Sequence, residues 1–168
     1  LMSEGLDTGP VLAMQRARIG PDDTTGSLHD RLAEIGAPLM IETLAKLAAG
    51  TAEPEPQPAE GATYATKITQ DQARIDWAFG AGALANRIRG LSPIPGAWTE
   101  IAGERIKVLM VRPEDGSGPP GQALDDRGLI ACGTGALRLT KLQRAGKGPA
   151  DADAFLRGFP ISTGQLLG

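Results

Sequence analysis

A single carboxylate lies between two glycines close to the start of the chain. Residues 4–10 have the sequence EGLDTGP, so Gly5 and Gly9 stand two positions from Asp7 on either side. Glycine lets the backbone adopt a positive φ or approach a ligand closely, and Pro10 restricts the direction of the chain after the turn. An aspartate in such a turn can orient a histidine or steer protons in a reacting substrate. It can also close an Asx-turn without any chemical role.

Few other residues have side chains that could take part in a reaction or bind a metal. The one cysteine, Cys132, excludes an internal disulfide and is typical of a reducing compartment. Its apolar neighbours predict a small buried side chain rather than a nucleophile. The one histidine, His29, has neither a metal partner nor a nucleophile near it in sequence, so we assign it no catalytic role. We expect no metal site, because the sequence offers no cluster of ligands.

The composition is that of a small folded protein. The chain has 168 residues, of which 41% are hydrophobic and 22% charged, enough for one ordinary domain or two small ones. Aromatic residues make up only 4%, so the core must come mainly from Leu, Ile, Val and Ala. No apolar run approaches membrane-spanning length, and no membrane partner is expected.

Charge is distributed unevenly along the chain. Residues 1–76 contain 6 Lys and Arg against 12 Asp and Glu, whereas residues 77–168 contain 11 against 8. The front is therefore acidic and the back mildly basic, within a net charge of −3. Such asymmetry predicts different partners for the two parts.

The first 50 residues predict a strand followed by a helix. Imperfect alternation over residues 11–19 indicates the strand. The helix that follows carries an apolar stripe that we expect to face a sheet, and Pro38 is expected to kink it or divide it in two. Gly50 is the expected stop. The stripe consists of Leu28, Leu32, Ile35, Leu39, Met40, Leu44 and Leu47.

The middle of the chain predicts a connector and the start of a second unit. Residues 51–60 alternate proline with polar residues, which favours an extended, semi-rigid path. Residues 64–68 predict a short strand, and residues 69–72 a capped turn. We expect Trp77 to anchor the second unit and residues 81–91 to form a short helix.

From residue 97 the hydrophobic period changes to two. Residues 98–101 and 104–111 predict a hairpin. Three more short strands and a terminal helical turn at 151–156 are expected, the strands at 121–124, 129–132 and 136–142. Five short antiparallel strands that close on themselves fit a small barrel of the OB type.

Five of these segments stand in the order found in one enzyme family. Together they resemble methionyl-tRNA formyltransferase over nearly the whole chain; they are residues 1–10, 22–30 (DDTTGSLHD), 61–68 (GATYATKI), 73–77 (ARIDW) and 95–98 (PGAW). The resemblance implies transfer of the formyl group of 10-formyltetrahydrofolate to the amino group of methionyl initiator tRNA. It implies a cytoplasmic enzyme of translation initiation without a metal, and we expect a monomer.

The resemblance also implies roles for individual residues. Asp7 would belong to the catalytic set, whose other members, an Asn and a His, lie upstream of Leu1 in this family, so the chain should be inactive alone. The folate pocket would be lined by backbone groups of Met2, Ser3, Glu4, Gly5 and Leu6. The candidates for contact with tRNA are Lys67, Arg87, Arg89, Lys107, Lys141, Arg144 and Lys147. Residues 143–147 are the best of these, because glycine lets the backbone of the loop approach the RNA closely enough for basic side chains to contact phosphates.

The predicted fold is therefore α/β followed by all-β. Residues 1–50 would form the end of a formyltransferase Rossmann-like domain, and residues 51–69 a linker. Residues 70–168 would form a small C-terminal OB-type barrel that binds tRNA.

The chain departs from the family pattern at two places. Residues 92–95 have the sequence SPIP where family members commonly show NPWP, and Gly148 with Pro149 replaces a second lysine after the late AGK motif. The second change removes a charge from the predicted RNA face. Two other functions stay open: a folate-dependent formyltransferase or hydrolase that acts on a nucleotide sugar or releases formate, and an RNA-binding module without catalysis.

Overall fold

The chain divides into two compact units. The computed structural model describes residues 1–58 and 60–168, so Ala59, part of the predicted linker, lies outside the described residues. The first unit comprises Leu1–Pro21 and Ser27–Lys67, and the second comprises Asp22–Gly26 and Ile68–Gly168. In the part of the chain that the structure describes, no helix is both long and apolar enough to cross a membrane.

The main element of the first unit is one long helix, α1 (Thr25–Ala48). The helix runs through Pro38 without a break, so the predicted division into two helices does not occur. Proline removes one backbone hydrogen bond, to the carbonyl group four residues earlier. Because Glu34 and Pro38 are both exposed, water can hydrate the carbonyl that is left without a partner. The helix ends just before Gly50, whose φ of 68° confirms the predicted stop.

The apolar stripe of α1 does not pack against a sheet, contrary to our expectation. Leu32, Met40 and Leu44 are between 46% and 59% exposed, and Thr43 is the one buried residue of this helix. The first unit has no β-strand among its described residues, so nothing there can cover the stripe. The sequence pattern predicted the helix correctly, and the sheet that its stripe was expected to face is not among the described residues of this unit.

Two predicted strands, at residues 11–19 and 64–68, are wrong. Val11 forms only an isolated antiparallel bridge with Glu55, with an N–H···O bond of 2.8 Å in each direction. The rest of both segments has no strand structure. A strand needs a neighbouring backbone along its length. In the described residues a partner is present at one position only.

The second unit contains an antiparallel sheet, as predicted. Its strand order is β1-β2-β4-β3, and β5 pairs with β4. The elements are a 3-10 helix (Asp71–Ala73), α2 (Ala81–Leu91), β1 (Ala97–Ile101), β2 (Glu104–Glu114), β3 (Leu129–Ala131), β4 (Ala136–Arg144), β5 (Ala150–Asp151) and α3 (Ala152–Gly158). The coarse prediction of helices and antiparallel strands is confirmed, and closure into an OB barrel stays a prediction.

Two local sequence signals near the start of this unit are confirmed. The N–H of Thr69 donates to Gln72 Oε1 at 2.9 Å, and the N–H of Gln72 donates to Thr69 Oγ1 at 3.3 Å. This reciprocal pair is a capping box, and it confirms the predicted turn. The helix predicted over residues 81–91 has the same bounds in the structure.

The predicted hairpin is confirmed and has a two-residue turn. Ala102 (φ 51°) and Gly103 (φ 77°) both have positive φ, as a type I′ turn requires. This turn matches the right-handed twist of the strands that it joins. It pairs Ile101 with Glu104 and, four residues further, Ala97 with Val108.

The predicted strand at residues 121–124 is wrong. Gln122 and Ala123 form only isolated bridges, to Leu166 and Ile130 respectively. Gly121 has a φ of 84°, and the N–H of Gln122 turns back to the carbonyl group of Pro119 at 2.9 Å, so the chain cannot stay extended here. The fifth strand is instead the short β5.

Trp77 anchors the core of the second unit, as expected. Its ring is only 4% exposed, and its indole N–H donates to Oγ1 of the fully buried Thr99 at 3.1 Å. Aliphatic side chains from α2 and from one face of the sheet surround it. The fully buried members include Leu84, Ile88, Ile101, Ile106, Val108, Leu137, Leu139 and Leu142.

We predict that Leu137→Ala destabilises the second unit by about 2–5 kcal/mol, because it removes buried apolar surface and leaves a cavity. Leu137 is 0% exposed, whereas Leu166 is 65% exposed. The control Leu166→Ala should change the free energy of unfolding by less than about 0.5 kcal/mol. Urea unfolding followed by tryptophan fluorescence measures both. Equal effects of the two substitutions would contradict the assigned core.

Candidate functional site

The turn that carries Asp7 is held by the proline-rich segment that follows α1. Nε2 of Gln57 donates to the carbonyl oxygens of Asp7 (2.9 Å) and Gly9 (2.6 Å). The Val11–Glu55 bridge joins the same two stretches of chain. Sequence reasoning missed Gln57, although it is the one amide side chain in residues 51–60.

The strained backbone of this turn is at Asp7 itself and not at its glycines. Asp7 has a φ of 57°, a left-handed conformation that Asp and Asn tolerate better than most residues. Gly9 serves a different purpose, because a Cβ atom there would overlap the carbonyl oxygen of Leu1. Ser3 Oγ and Thr8 Oγ1 lie 2.7 Å apart and close the turn on its other side. The chain therefore reverses its direction around the carboxylate of Asp7.

The predicted folate-binding residues and Asp7 line one open cavity of about 390 Å³. Its lining comprises Leu1, Met2, Ser3, Glu4, Gly5, Leu6, Asp7 and Gly9. Asp7 is exposed, and within the described residues its carboxylate forms no ion pair. An open carboxylate of this kind can accept a hydrogen bond or a proton from a bound molecule. The catalytic role of Asp7 stays a prediction.

The predicted tRNA-binding residues on α2 hydrogen-bond to neighbouring groups. Arg87 donates to the carbonyl oxygen of Gln72. Arg89 Nη2 donates to Asn86 Oδ1 at 2.6 Å. Lys67 belongs to the first unit and is exposed.

Lys107 and the loop at residues 143–147 lie on neighbouring strands. Lys107 on β2 stands opposite Trp98 on β1 and opposite Gln143 on β4. Its aliphatic stem crosses Gly96, where a Cβ atom would come within 2.8 Å of Lys107 Cδ. Gln143 Nε2 donates to the carbonyl oxygen of Lys147 at 2.7 Å and closes the loop. The side chain of Lys141, further along β4, is exposed.

Arg144 is already paired within the second unit. Its guanidinium donates to both carboxylate oxygens of Glu104, at 2.8 and 2.7 Å, and lies 4.9 Å from the ring centroid of Phe159. Hydrogen bonding to Arg144 lowers the pKa of Glu104, and the same interaction raises the pKa of Arg144. Because this charge is compensated, Lys147 is the stronger candidate of the two for a phosphate contact.

A second arginine near the sheet is paired even more completely. Arg138 donates to both oxygens of Asp125 (3.0 and 2.8 Å) and to both oxygens of Glu114 (3.4 and 3.1 Å). Burial raises the pKa of Asp125, but hydrogen bonds from the N–H groups of Leu129 and Arg127 and from Arg138 outweigh it, so the pKa lies below its ordinary value. This network is structural.

Two arginines that the sequence analysis did not select lie over one indole ring. The guanidinium carbon of Arg105 is 3.8 Å and that of Arg74 5.5 Å from the ring centroid of Trp98. Gln70 supports the group, since its side-chain oxygen accepts a bond from Arg105 Nη1 and its carbonyl oxygen accepts one from Trp98 Nε1, both at 2.9 Å. The sequence pattern could have identified Arg105. It lies two residues before Lys107 on β2, so both side chains point to the same face of the strand, and Lys107 was selected.

A cavity of about 570 Å³ in the second unit is lined by Arg74 and Arg87, and also by Asp71, Asp76 and Phe79. Asp76 is oriented by a hydrogen bond that its Oδ1 accepts from the N–H of Ala78 at 3.0 Å. Cations and carboxylates alternate around this cavity. It therefore has no uniform charge with which to select an anion.

The remaining reactive residue has no catalytic character. Cys132 is 3% exposed, and burial raises the pKa of its thiol to about 11, against a smaller opposing effect of the N–H of Leu137. The thiolate is therefore scarce at neutral pH, which confirms that Cys132 is a buried, unreactive side chain. Over residues 1–58 and 60–168, no group of three His, Cys, Asp or Glu side chains is placed to hold a metal ion.

Comparison with known proteins identifies one domain and several relatives. The family described as the formyl transferase C-terminal domain matches residues 67–160. Methionyl-tRNA formyltransferase of Ruegeria pomeroyi is 57% identical over 166 residues, which are 99% of this chain and 54% of the relative. That of Caulobacter sp. strain K31 is 52% identical over 99% of this chain and 56% of the relative. The chain thus spans about half the length of these curated relatives.

Solved structures with a similar fold include HypX from Aquifex aeolicus. Its complex with tetrahydrofolic acid superposes with a TM-score of 0.70 at 22% identity, over 92% of this chain and 28% of that chain. A HypX variant superposes with a TM-score of 0.72 over 94% of this chain and 29% of that chain. At this level of identity the likeness concerns the fold alone.

The Asp125–Arg138 network should make the second unit sensitive to acid. The pKa of Asp125 in the folded state lies below its ordinary value of 3.8, so the unfolded state binds the proton more readily. The resulting stabilisation is fully present above pH 3.8 and is lost as the pH falls through the folded-state pKa. We predict that Asp125→Asn lowers the free energy of unfolding at pH 7 and flattens its dependence on pH below 4. The matched control is Asp126→Asn, because Asp126 is the exposed neighbour of Asp125. Urea unfolding at several pH values measures the stability of both variants. An identical pH dependence in the two would contradict the network's role.

Proposed function

The chain belongs to the formyl transferase family, and we propose that the protein containing it is a methionyl-tRNA formyltransferase. The observation that carries this proposal is the similarity over 99% of the chain to relatives of that name, through both units. The proposed reaction transfers the formyl group of 10-formyltetrahydrofolate to the α-amino group of methionine on initiator tRNA. A cytoplasmic location and a monomeric state are parts of the same proposal.

The proposed chemistry is an acyl transfer from nitrogen to nitrogen. The methionyl amine attacks the formyl carbon, the carbonyl π electrons move to its oxygen, and collapse of this tetrahedral species breaks the bond to folate N10. N10 must gain a proton and the amine must lose one. We assign the management of these protons to Asp7, acting directly or through a histidine elsewhere in the protein. The bound tetrahydrofolic acid named for HypX supports a folate-type donor.

We assign residues 1–50 to the end of a Rossmann-like catalytic domain and residues 70–168 to an OB-type barrel, joined by residues 51–69. The exposed stripe on α1 supports the first assignment, because an apolar helix face needs a sheet to cover it and these relatives are nearly twice as long as the chain. The order β1-β2-β4-β3, with β5 beside β4, supports the second. The domain boundaries are part of the proposal.

The second unit is proposed to bind the tRNA through phosphate contacts. Lys107, Lys141 and Lys147 are the cations among the predicted set whose ammonium groups have no ion pair in the described residues of this unit. Contacts of this kind position the RNA without reading its sequence. Lys67, Arg87, Arg89 and Arg144 stay in the proposed set, with the qualification that Arg144 brings its own counter-ion.

We predict that Asp7→Asn in the complete protein abolishes formyl transfer and leaves folding and tRNA affinity nearly unchanged. Asparagine accepts the left-handed conformation that Asp7 adopts, so the turn should survive while the proton acceptor is lost. Asp22→Asn, which removes an exposed carboxylate elsewhere, is the control. Single-turnover formylation measures the effect. Near-normal rates in Asp7→Asn would remove this residue from the mechanism.

We predict that Lys147→Gln weakens binding of the initiator tRNA and lowers the slope of log affinity against log salt by about 1, the amount expected for one lost phosphate contact. Arg157→Gln, which removes an exposed charge outside the proposed set, should leave the slope unchanged. Filter binding over a range of salt concentrations measures both. Elongator methionine tRNA should be retained less than initiator tRNA, and equal retention would favour one of the other two functions.

A further inference from the structure

The two arginines over Trp98 differ from the three arginines of this unit that are held by carboxylates. Arg127, Arg138 and Arg144 each form an ion pair with a carboxylate. In the described residues neither Arg74 nor Arg105 does, although both side chains are exposed. Their positive charge is therefore not compensated by an internal partner.

The indole ring holds these two guanidinium groups in place. Trp98 is only 7% exposed, and both guanidinium groups lie over its ring. A guanidinium stacked on an aromatic ring keeps its N–H groups at the edge of its plane free to donate, and loses less rotamer entropy when it binds a ligand. Arg105 uses one nitrogen, Nη1, on Gln70, and the guanidinium of Arg74 forms no hydrogen bond with the described residues.

The surroundings of this cluster carry both charges, since Glu100 stands directly opposite Arg105 and Lys107 lies two residues further along β2. Lys107 stands directly opposite Trp98 on the neighbouring strand, and its stem crosses Gly96. Arg105 and Lys107 alternate with the buried Ile106 and Val108, so both project from the outer face of the hairpin. Three cations are thus gathered around one ring, with Glu100 the nearest carboxylate in the strand register.

We propose that Arg74 and Arg105, held over Trp98, bind phosphate groups of the tRNA backbone, with Trp98 as the positioning residue. This inference rests on the proposed function and extends it, because it shifts the centre of the RNA contact from the loop at residues 143–147 to the outer face of the β1–β2 hairpin. Planar guanidinium groups bind phosphate oxygens in a bidentate manner. Arg74 also lines the adjoining cavity, where Asp71 and Asp76 would repel a phosphate, so the proposed contact lies over the ring and not inside that cavity.

The test measures binding of uncharged initiator tRNA to the complete protein over a range of salt concentrations. The double variant Arg74→Gln/Arg105→Gln is compared with Arg112→Gln/Arg157→Gln, which removes two exposed arginines that lie away from Trp98. The first variant should lower the salt slope by about 2 and raise Kd at least about tenfold at 0.1 M salt. The second should do neither. Circular dichroism and urea unfolding verify that both variants fold.

A charge-conserving variant tests the role of the ring. Arg74→Lys/Arg105→Lys keeps both charges but loses the planar stacking, so it should keep most of the salt slope and still bind more weakly than the wild type. A decrease of the slope by the same amount in both glutamine variants would mean that net charge alone matters and would overturn the inference. No decrease in either would overturn it too.

The same measurements separate this inference from the function on which it rests. Salt-dependent tRNA binding that requires Arg74 and Arg105, in a protein that transfers no formyl group, would overturn the proposed reaction and leave the RNA contact standing. Normal formylation with full tRNA affinity in the glutamine variant would overturn the contact and leave the reaction standing. Absence of tRNA binding by the wild type would overturn both.

Discussion

Alternation along β2 is the constraint from which both the core and the charged face of the second unit follow. Ile106 and Val108 point inward and are fully buried, whereas Arg105 and Lys107, which alternate with them along the strand, point outward. A slip of one residue in the pairing with β1 would exchange these two sets and bury two cations. The I′ turn at Ala102 and Gly103 prevents that slip, since its two positive φ angles specify a two-residue connection. The hairpin turn therefore determines which face of the sheet carries these two cations.

Pairing divides the arginines of this unit into two groups with different consequences. Arg138 and Arg144 are each held by bidentate bonds to carboxylates and connect strands and loops of the fold. Arg74 and Arg105 are oriented by an uncharged ring instead, so they keep their net charge. Counting basic residues in the sequence cannot separate these groups, because Glu104 precedes Arg144 by 40 residues.

The sequence predictions that proved correct depend on residues that are close together in the chain. The capping box at Thr69 and Gln72, the helix Ala81–Leu91 and the β1–β2 hairpin all depend on signals a few residues apart. The errors concern distant partners. Residues 11–19 alternate like a strand but find a backbone partner at Val11 alone, and the stripe on α1 meets no sheet. Among the site residues, Asp7 was selected from its motif. Gln57 became visible through bonds across 50 and 48 residues, and Arg74 and Arg105 through one shared ring.

The carboxylate turn shows the same dependence on distant partners, and it gives the proline-rich segment a purpose beyond connection. A left-handed aspartate is unfavourable unless the surrounding chain holds it. Two hydrogen bonds from Gln57 and the Val11–Glu55 bridge provide that support. Prolines at positions 54, 56 and 58 restrict the unfolded chain on either side of these contacts, so less entropy is lost when they form. A stiff segment is therefore better suited than a flexible one to hold a strained turn whose carboxylate is exposed.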